Sequence, residues 1–166
     1  MPQVLDRTDI NILNALQDDA TIQLRKLAGL VNASAATCQR RIAALRASGI
    51  LRKQVVLLDR AKVGMALTIF VSIELEKQNS ALLGAFERLM EGEAEVLECY
   101  EVAGQYDFHL VVSIESMEAH SRLTRRLFTA HNNVRDFKSL FAMSCSKFET
   151  KILLKAEAAN GHAVVT

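Results

Sequence analysis

Residues 24–49 read LRKLAGLVNASAATCQRRIAALRASG, and this stretch decides the architecture of the first part of the chain. Leu24, Leu27, Ala28 and Val31 recur at spacings of three and four, the period of a helix with one buried face. Asn32 then supplies a residue that tolerates the left-handed conformation at a helix end. Ser34 can cap a following helix in which Cys38, Ile42 and Leu45 form one apolar stripe, and Gly49 marks its stop. The turn between the two helices is therefore only about three residues long.

Working outward, Asp6 is a candidate N-cap with Asp9 three positions on, ahead of Ile10, Leu13 and Leu16. That spacing predicts a first helix over residues 7–17, ended by the polar break from Asp18 to Thr21. Three amphipathic helices with the last two tightly joined form a helix-turn-helix if the exposed face of the third can meet DNA. That face carries Ser34, Ala35, Ala36, Thr37, Gln39, Arg40 and Arg41. Small residues at its start permit close approach to a groove. Thr37 and Gln39 can hydrogen-bond base edges, and the arginines can hold phosphate or read guanine. A solvated three-helix bundle is the competing account, because charged residues opposite an apolar stripe are what any surface helix shows. The absence of Asp and Glu from the third helix moves the balance toward DNA.

Charge agrees. The net charge of +1 hides ten Lys or Arg against five Asp or Glu in residues 1–62, and ten against fourteen in residues 63–166. Phosphate neutralisation dominates nucleic-acid affinity, so a basic first part suits double-stranded DNA as a partner. Half of the 166 residues are hydrophobic and only one is Pro, a composition suited to a packed core. No apolar run approaches the roughly 18 residues of a membrane span, and the N-terminus lacks a signal-peptide pattern, so a cytoplasmic protein with no membrane partner is expected.

From Ile50 the pattern turns β-branched and aliphatic, which predicts a strand and linker over 51–64. Leu67, Ile69, Val71, Ile73 and Leu75 then alternate with Thr68, Phe70, Ser72, Glu74 and Glu76, the period of a half-buried strand. A helix follows over 80–90. Strands over 95–103 and 108–114 flank a short hairpin turn, Gly104-Gln105-Tyr106-Asp107. A helix over 117–130 and a last strand over 134–148 complete the order strand, helix, strand, strand, helix, strand. The predicted fold is α+β, an N-terminal winged helix-turn-helix domain (1–50) plus a C-terminal ferredoxin-like βαββαβ domain (65–152), with a tail over 153–166. Both helices pack on one sheet face, and Phe70 and Tyr100 suggest that the other serves association.

Residues that invite an enzyme reading are few. Cys38, Cys99 and Cys145 lie far apart in apolar patterns, with no metal-ligand spacing. The four histidines show no metal or protease motif, and the glutamates between Glu91 and Glu101 read as a solvated strand edge. No catalytic residue, metal or cofactor is expected.

The segment Leu5-Asp6-Arg7-Thr8-Asp9-Ile10-Asn11-Ile12-Leu13, the run Arg41-Ile42-Ala43-Ala44-Leu45, Gly49-Ile50 and the Gly104–Asp107 turn together resemble the Lrp/AsnC (feast/famine) transcription regulators over roughly residues 4–152. The resemblance implies a non-enzymatic DNA-binding regulator whose assembly or DNA affinity responds to an amino acid or related metabolite. It implies homodimers that assemble to tetramers or octamers, with the effector held between neighbouring sheets near Tyr100, Gly104, Gln105, Tyr106 and Asp107. Backbone amides and Asp107 could orient the charged ends of a zwitterion, and Gly104 permits close backbone approach. The other reading of Gly104 and Asp107 is that they only shape a hairpin. Gln105 stands where the family commonly has an acid, Thr21 where an Arg is usual, and Gln23 where a Ser would cap the second helix. Certain sirohaem decarboxylases resemble the same two-part architecture, so an enzyme of that type is one alternative. An oligomeric effector-binding protein without DNA binding is another.

Overall fold

The computed structural model describes residues 5–155. They fall into two compact units, one made of residues 5–56 together with 147–155, the other of Leu57–Ser146. The second unit is thus an insertion in the first, and the chain passes between them twice.

The helical unit contains α1 (Arg7–Asp18), α2 (Leu24–Leu30) and α3 (Ala35–Ala47). Asp6 caps α1 in a full capping box: its carboxylate accepts from the Asp9 amide and the Asp9 carboxylate accepts from the Asp6 amide. Gln23 provides no side-chain bond at the start of α2. Asn32 takes the left-handed conformation (φ +52°) that turns the chain toward α3, where Ser34 accepts from the Thr37 amide at 3.1 Å. Ile10, Leu13, Leu27, Ala28, Val31, Cys38 and Leu45 make one buried cluster, as their helical spacing predicts.

Residues 51–64, expected as a strand and linker, form no ladder within one chain. Among the described residues, 51–58 join no strand, and Val55, Val56, Leu57 and Leu58 are exposed. β-Branched composition favours extended backbone but cannot supply the neighbouring strand that a ladder requires. Here Leu51 packs on the helical core instead. Gln54 accepts from Arg46 at 3.1 Å and donates to the Ala20 carbonyl at 2.9 Å.

The inserted unit follows the predicted order: β1 (Leu67–Leu75), α4 (Ser80–Glu91), β2 (Val96–Glu101), β3 (Phe108–Ile114), α5 (Met117–Leu127) and β4 (Val134–Phe141). The four strands form one antiparallel sheet in the order β2-β3-β1-β4, the ferredoxin-like arrangement. Ile69, Val71 and Ile73 of β1 and Phe108, Leu110 and Val112 of β3 are buried with Phe86 and Met90 of α4 and Leu123 and Leu127 of α5. Two elements are shorter than expected. α5 stops at Leu127, and a separate 3-10 turn (Ala130–Asn132) leads to β4. β4 stops at Phe141 rather than 148 because Phe141 pairs with Ile69 and the Ala142 amide reaches Thr68, which leaves Leu67 as the only remaining residue of β1.

Candidate nucleic-acid interface and effector turn

The third helix presents Ser34, Ala35, Ala36, Gln39 and Arg40 to solvent, with Thr37 half-buried. Positions 36, 39, 40 and 43 lie on one side at spacings of three and four, and all are exposed. Two of the polar groups expected there are already engaged with each other, since the Ser34 and Thr37 hydroxyls lie 2.9 Å apart. Gln39 and Arg40 make no side-chain hydrogen bond or ion pair with described residues.

The two arginines, adjacent in sequence, have different surroundings. Arg41 projects toward α1, where its Nη1 bonds Asp6 at 2.5 Å and Asp9 at 2.9 Å. Hydrogen bonds to Asp9 and Asp6 raise the guanidinium's pKa further above its ordinary range, outweighing burial. In the free chain the guanidinium expected to contact phosphate or guanine is engaged internally: it clamps α3 to the capping box of α1. A helical wheel alone could not separate the two, because position 41 lies at the edge of the apolar stripe and its direction is set by which helix crosses beneath it.

Burial works to raise the Asp6 carboxyl, but the Asp9 amide, Arg41 and the Thr8 amide outweigh it and hold the pKa below its ordinary 3.8. A carboxyl lowered by folding contributes stability above its unfolded value, and that contribution fades as pH falls through the folded value. We therefore expect helical-unit stability to drop below about pH 4, and Asp6→Asn to lessen that drop. Thermal melts by circular dichroism at about pH 6 and pH 3 check this. An acid loss as large in Asp6→Asn as in wild type would refute it.

Sequence reasoning passed over Arg25 and Lys26. Both are exposed on α2, the helix that in a helix-turn-helix crosses the phosphate backbone. Their position in the first turn after the Gln23 N-cap was the available signal.

In the inserted unit, Gly104 and Gln105 are exposed and Tyr106 and Asp107 half-buried. Asp107 ties the turn to the end of β1: its Oδ2 accepts from the Leu75 amide at 2.7 Å, its own amide donates to the Ile73 carbonyl at 2.8 Å, and its carbonyl accepts from Val102 at 2.9 Å. The carboxylate is thus already used in shaping the hairpin. Gly104 has φ +155°, and a Cβ there would meet nothing within 4 Å, so its glycine answers to backbone conformation rather than crowding. The Tyr106 ring lies 5.9 Å from His109, whose Nδ1 pairs with Ser72 Oγ at 3.0 Å. Tyr100 donates to Glu98 at 2.8 Å, a bond that raises the phenol's pKa.

These side chains share the sheet face that no helix covers. The register places Leu140, Phe70 and Val111 in one cross-strand row, and Lys138, Ser72, His109 and Tyr100 in the next. Phe70, Leu140 and Tyr100 are about half exposed, at 49%, 52% and 56%, whereas Ile69 beside Phe70 is fully buried. At the other end of the hairpin a cavity of about 530 Å³ is lined by Glu93, Glu95, Glu115, Arg122 and Arg126. Its charges are paired, Arg122 with Glu115 and Arg126 with both Glu93 and Glu95, so three carboxylates meet two guanidiniums. Among the described residues no His, Cys, Asp and Glu group is placed to hold a metal ion, and no helix is long and apolar enough to cross a membrane.

Comparison with known proteins matches both units. Residues 5–46 fit the model of the AsnC-type helix-turn-helix domain, and residues 68–152 that of the Lrp/AsnC ligand binding domain. An HTH-type transcriptional regulator of Haemophilus influenzae is 44% identical over 152 residues, covering 92% of this chain and 90% of the relative. The crystal structure of an AsnC family transcriptional regulator from Agrobacterium tumefaciens superposes with a TM-score of 0.83 at 34% identity, covering 90% of this chain and 97% of that one. A transcriptional regulator from Neisseria meningitidis, solved as a complex with L-Met, gives a TM-score of 0.82 at 28% identity over 90% of this chain and 96% of the other.

Proposed function

The chain belongs to the Lrp/AsnC family of helix-turn-helix transcription regulators, and from that premise we propose that α3 reads DNA through Gln39 and Arg40 while the sheet unit assembles copies of the chain and senses an amino acid. The observation that carries the DNA reading is the solvent-facing side of α3. It bears small residues, an amide and a guanidinium that pairs with no described residue, and no carboxylate, on a basic unit. Arg25 and Lys26 on α2 add phosphate contacts, and Arg41 acts through α1 rather than on the duplex.

One helix-turn-helix reads a half-site, so the reading requires paired copies. The uncovered sheet face, with Phe70, Val111, Leu140 and Tyr100, is the surface on which two copies associate, and dimers assemble further to tetramers or octamers. The 104–107 turn lies on the surface of one chain, so its effector site is completed by a neighbouring copy. The L-Met bound by the Neisseria relative supports an amino acid as the effector class. With Asp107 committed to Leu75 and Gln105 uncharged, the turn offers backbone amides, which suit the carboxylate end of the ligand.

Selection of duplexes from a random pool by the full-length chain, followed by calorimetry against the common amino acids, tests both halves. Enrichment of a two-fold symmetric site and heat with one amino acid, lost when Asp107→Ala frees the turn from the Leu75 amide, are expected. Failure to enrich any duplex refutes the DNA reading, and silence across the amino acids leaves the sheet unit as an assembly module.

A further inference from the structure

The chain returns to the helical unit after Ser146, and its described end lies along α1. The Gln17 side chain accepts from the Ile152 amide at 2.7 Å and donates to the Ile152 carbonyl at 3.1 Å, as a neighbouring strand would. Asn14 donates to the Leu154 carbonyl at 3.1 Å, Lys151 pairs with Asp18, and Leu154 packs against the helical core. Gln17 and Asp18 stand three and four positions after Asn14 along α1, so one side of its C-terminal half is dedicated to this contact. At the other end of the same helix, Asp6 and Asp9 hold Arg41 of α3. The helix α1 is therefore gripped by the recognition helix at its N-terminus and by the returning chain at its C-terminus.

We propose that residues 147–155 form a strap that sets DNA affinity by holding α1, making Gln17 and Ile152 positioning residues for a recognition helix they do not touch. The first crossing of the chain, through Leu51 and Gln54, follows directly from α3, and the strap is the second. Within the helical unit, Leu51 packs on the core just after α3, and residues 151–154 bond to α1. A tail joined only at its own root would exert no such hold. The inference rests on the DNA-binding reading above only for its functional consequence, because the grip on α1 is a separate physical quantity.

The test uses the full-length chain and a duplex that it has itself selected from the random pool. Gln17→Ala removes both side-chain bonds from one side, and Ile152→Pro removes the donated amide from the other without altering α1. Each is expected to weaken binding about tenfold, the scale of one or two lost hydrogen bonds. The double variant is expected to lose little more than the worse single, the signature of one shared contact. Oligomer mass and the salt slope of binding are expected to stay at wild-type values, because neither residue meets the association face or a phosphate. Unchanged affinity in both single variants, or fully additive losses in the double, overturns the proposal. Hydrogen exchange of the α1 amides keeps the two readings apart. If the chain selects no duplex, faster exchange in Gln17→Ala and Ile152→Pro still supports the strap, and unchanged exchange overturns it.

Discussion

Replacing Arg40 with alanine is expected to weaken binding to the selected duplex ten- to a hundredfold, on the order of the 1–3 kcal/mol of a bidentate base contact or a strong phosphate contact. The guanidinium stands exposed on a helix that has no acid, and no described residue pairs with it. If it meets phosphate, the slope of log affinity against log salt flattens by about 0.9. If it reads guanine, the slope holds and discrimination at one position of the site collapses. Arg41→Ala is expected to behave differently. It leaves the Asp6 and Asp9 carboxylates without their cation, lowers the melting temperature of the helical unit, and keeps the wild-type salt slope. A flattened slope in Arg41→Ala with a normal one in Arg40→Ala would mean that the clamp opens on DNA and would reverse the two assignments.

Phe70→Glu is expected to shift the particle in light scattering from a multiple of the chain mass to the 18.4 kDa monomer. The side chain sits at the centre of the Leu140, Phe70, Val111 row, where a second copy would bury a carboxylate with no cation across the row. Burying an unpaired charge costs several kcal/mol, enough to dissolve a dimer at micromolar concentration. The fold of the unit is expected to survive, since Phe70 points away from the cluster formed by Ile69, Val71 and Phe108, and circular dichroism serves as the control. DNA affinity falls with the dimer, because a lone half-site contact remains. An oligomer that persists in Phe70→Glu would move the association surface elsewhere.

The periodicities that made the fold legible are those set by local geometry. Leu67 to Leu75 alternates because a strand with one covered face must, and Cys38, Ile42 and Leu45 recur at helical spacing because α3 buries one stripe. The caps at Asp6 and Ser34 were legible for the same reason, their partners being three residues away. The 51–58 segment has the composition of a strand but pairs with none in one chain, since pairing depends on a partner that no local pattern encodes. The end of β4 was misplaced on the same ground: it is set by where β1 begins, many residues earlier in the chain.

At the candidate sites, the sequence by itself determined the basic helix α3, its exposed side and the hairpin turn around Gly104, because spacing and residue type alone govern these. Only the tertiary structure separated Arg40 from Arg41. The two differ by one position on the helix, and the crossing of α1 brings Asp6 and Asp9 to one guanidinium and not the other. Only the tertiary structure showed that the Asp107 carboxylate is bound to the Leu75 amide, and that residues near 152 belong with α1. Each of these is a contact between residues more than thirty positions apart. Long-range contacts of this kind are chosen by the packing of whole elements, and that choice leaves no period in the sequence.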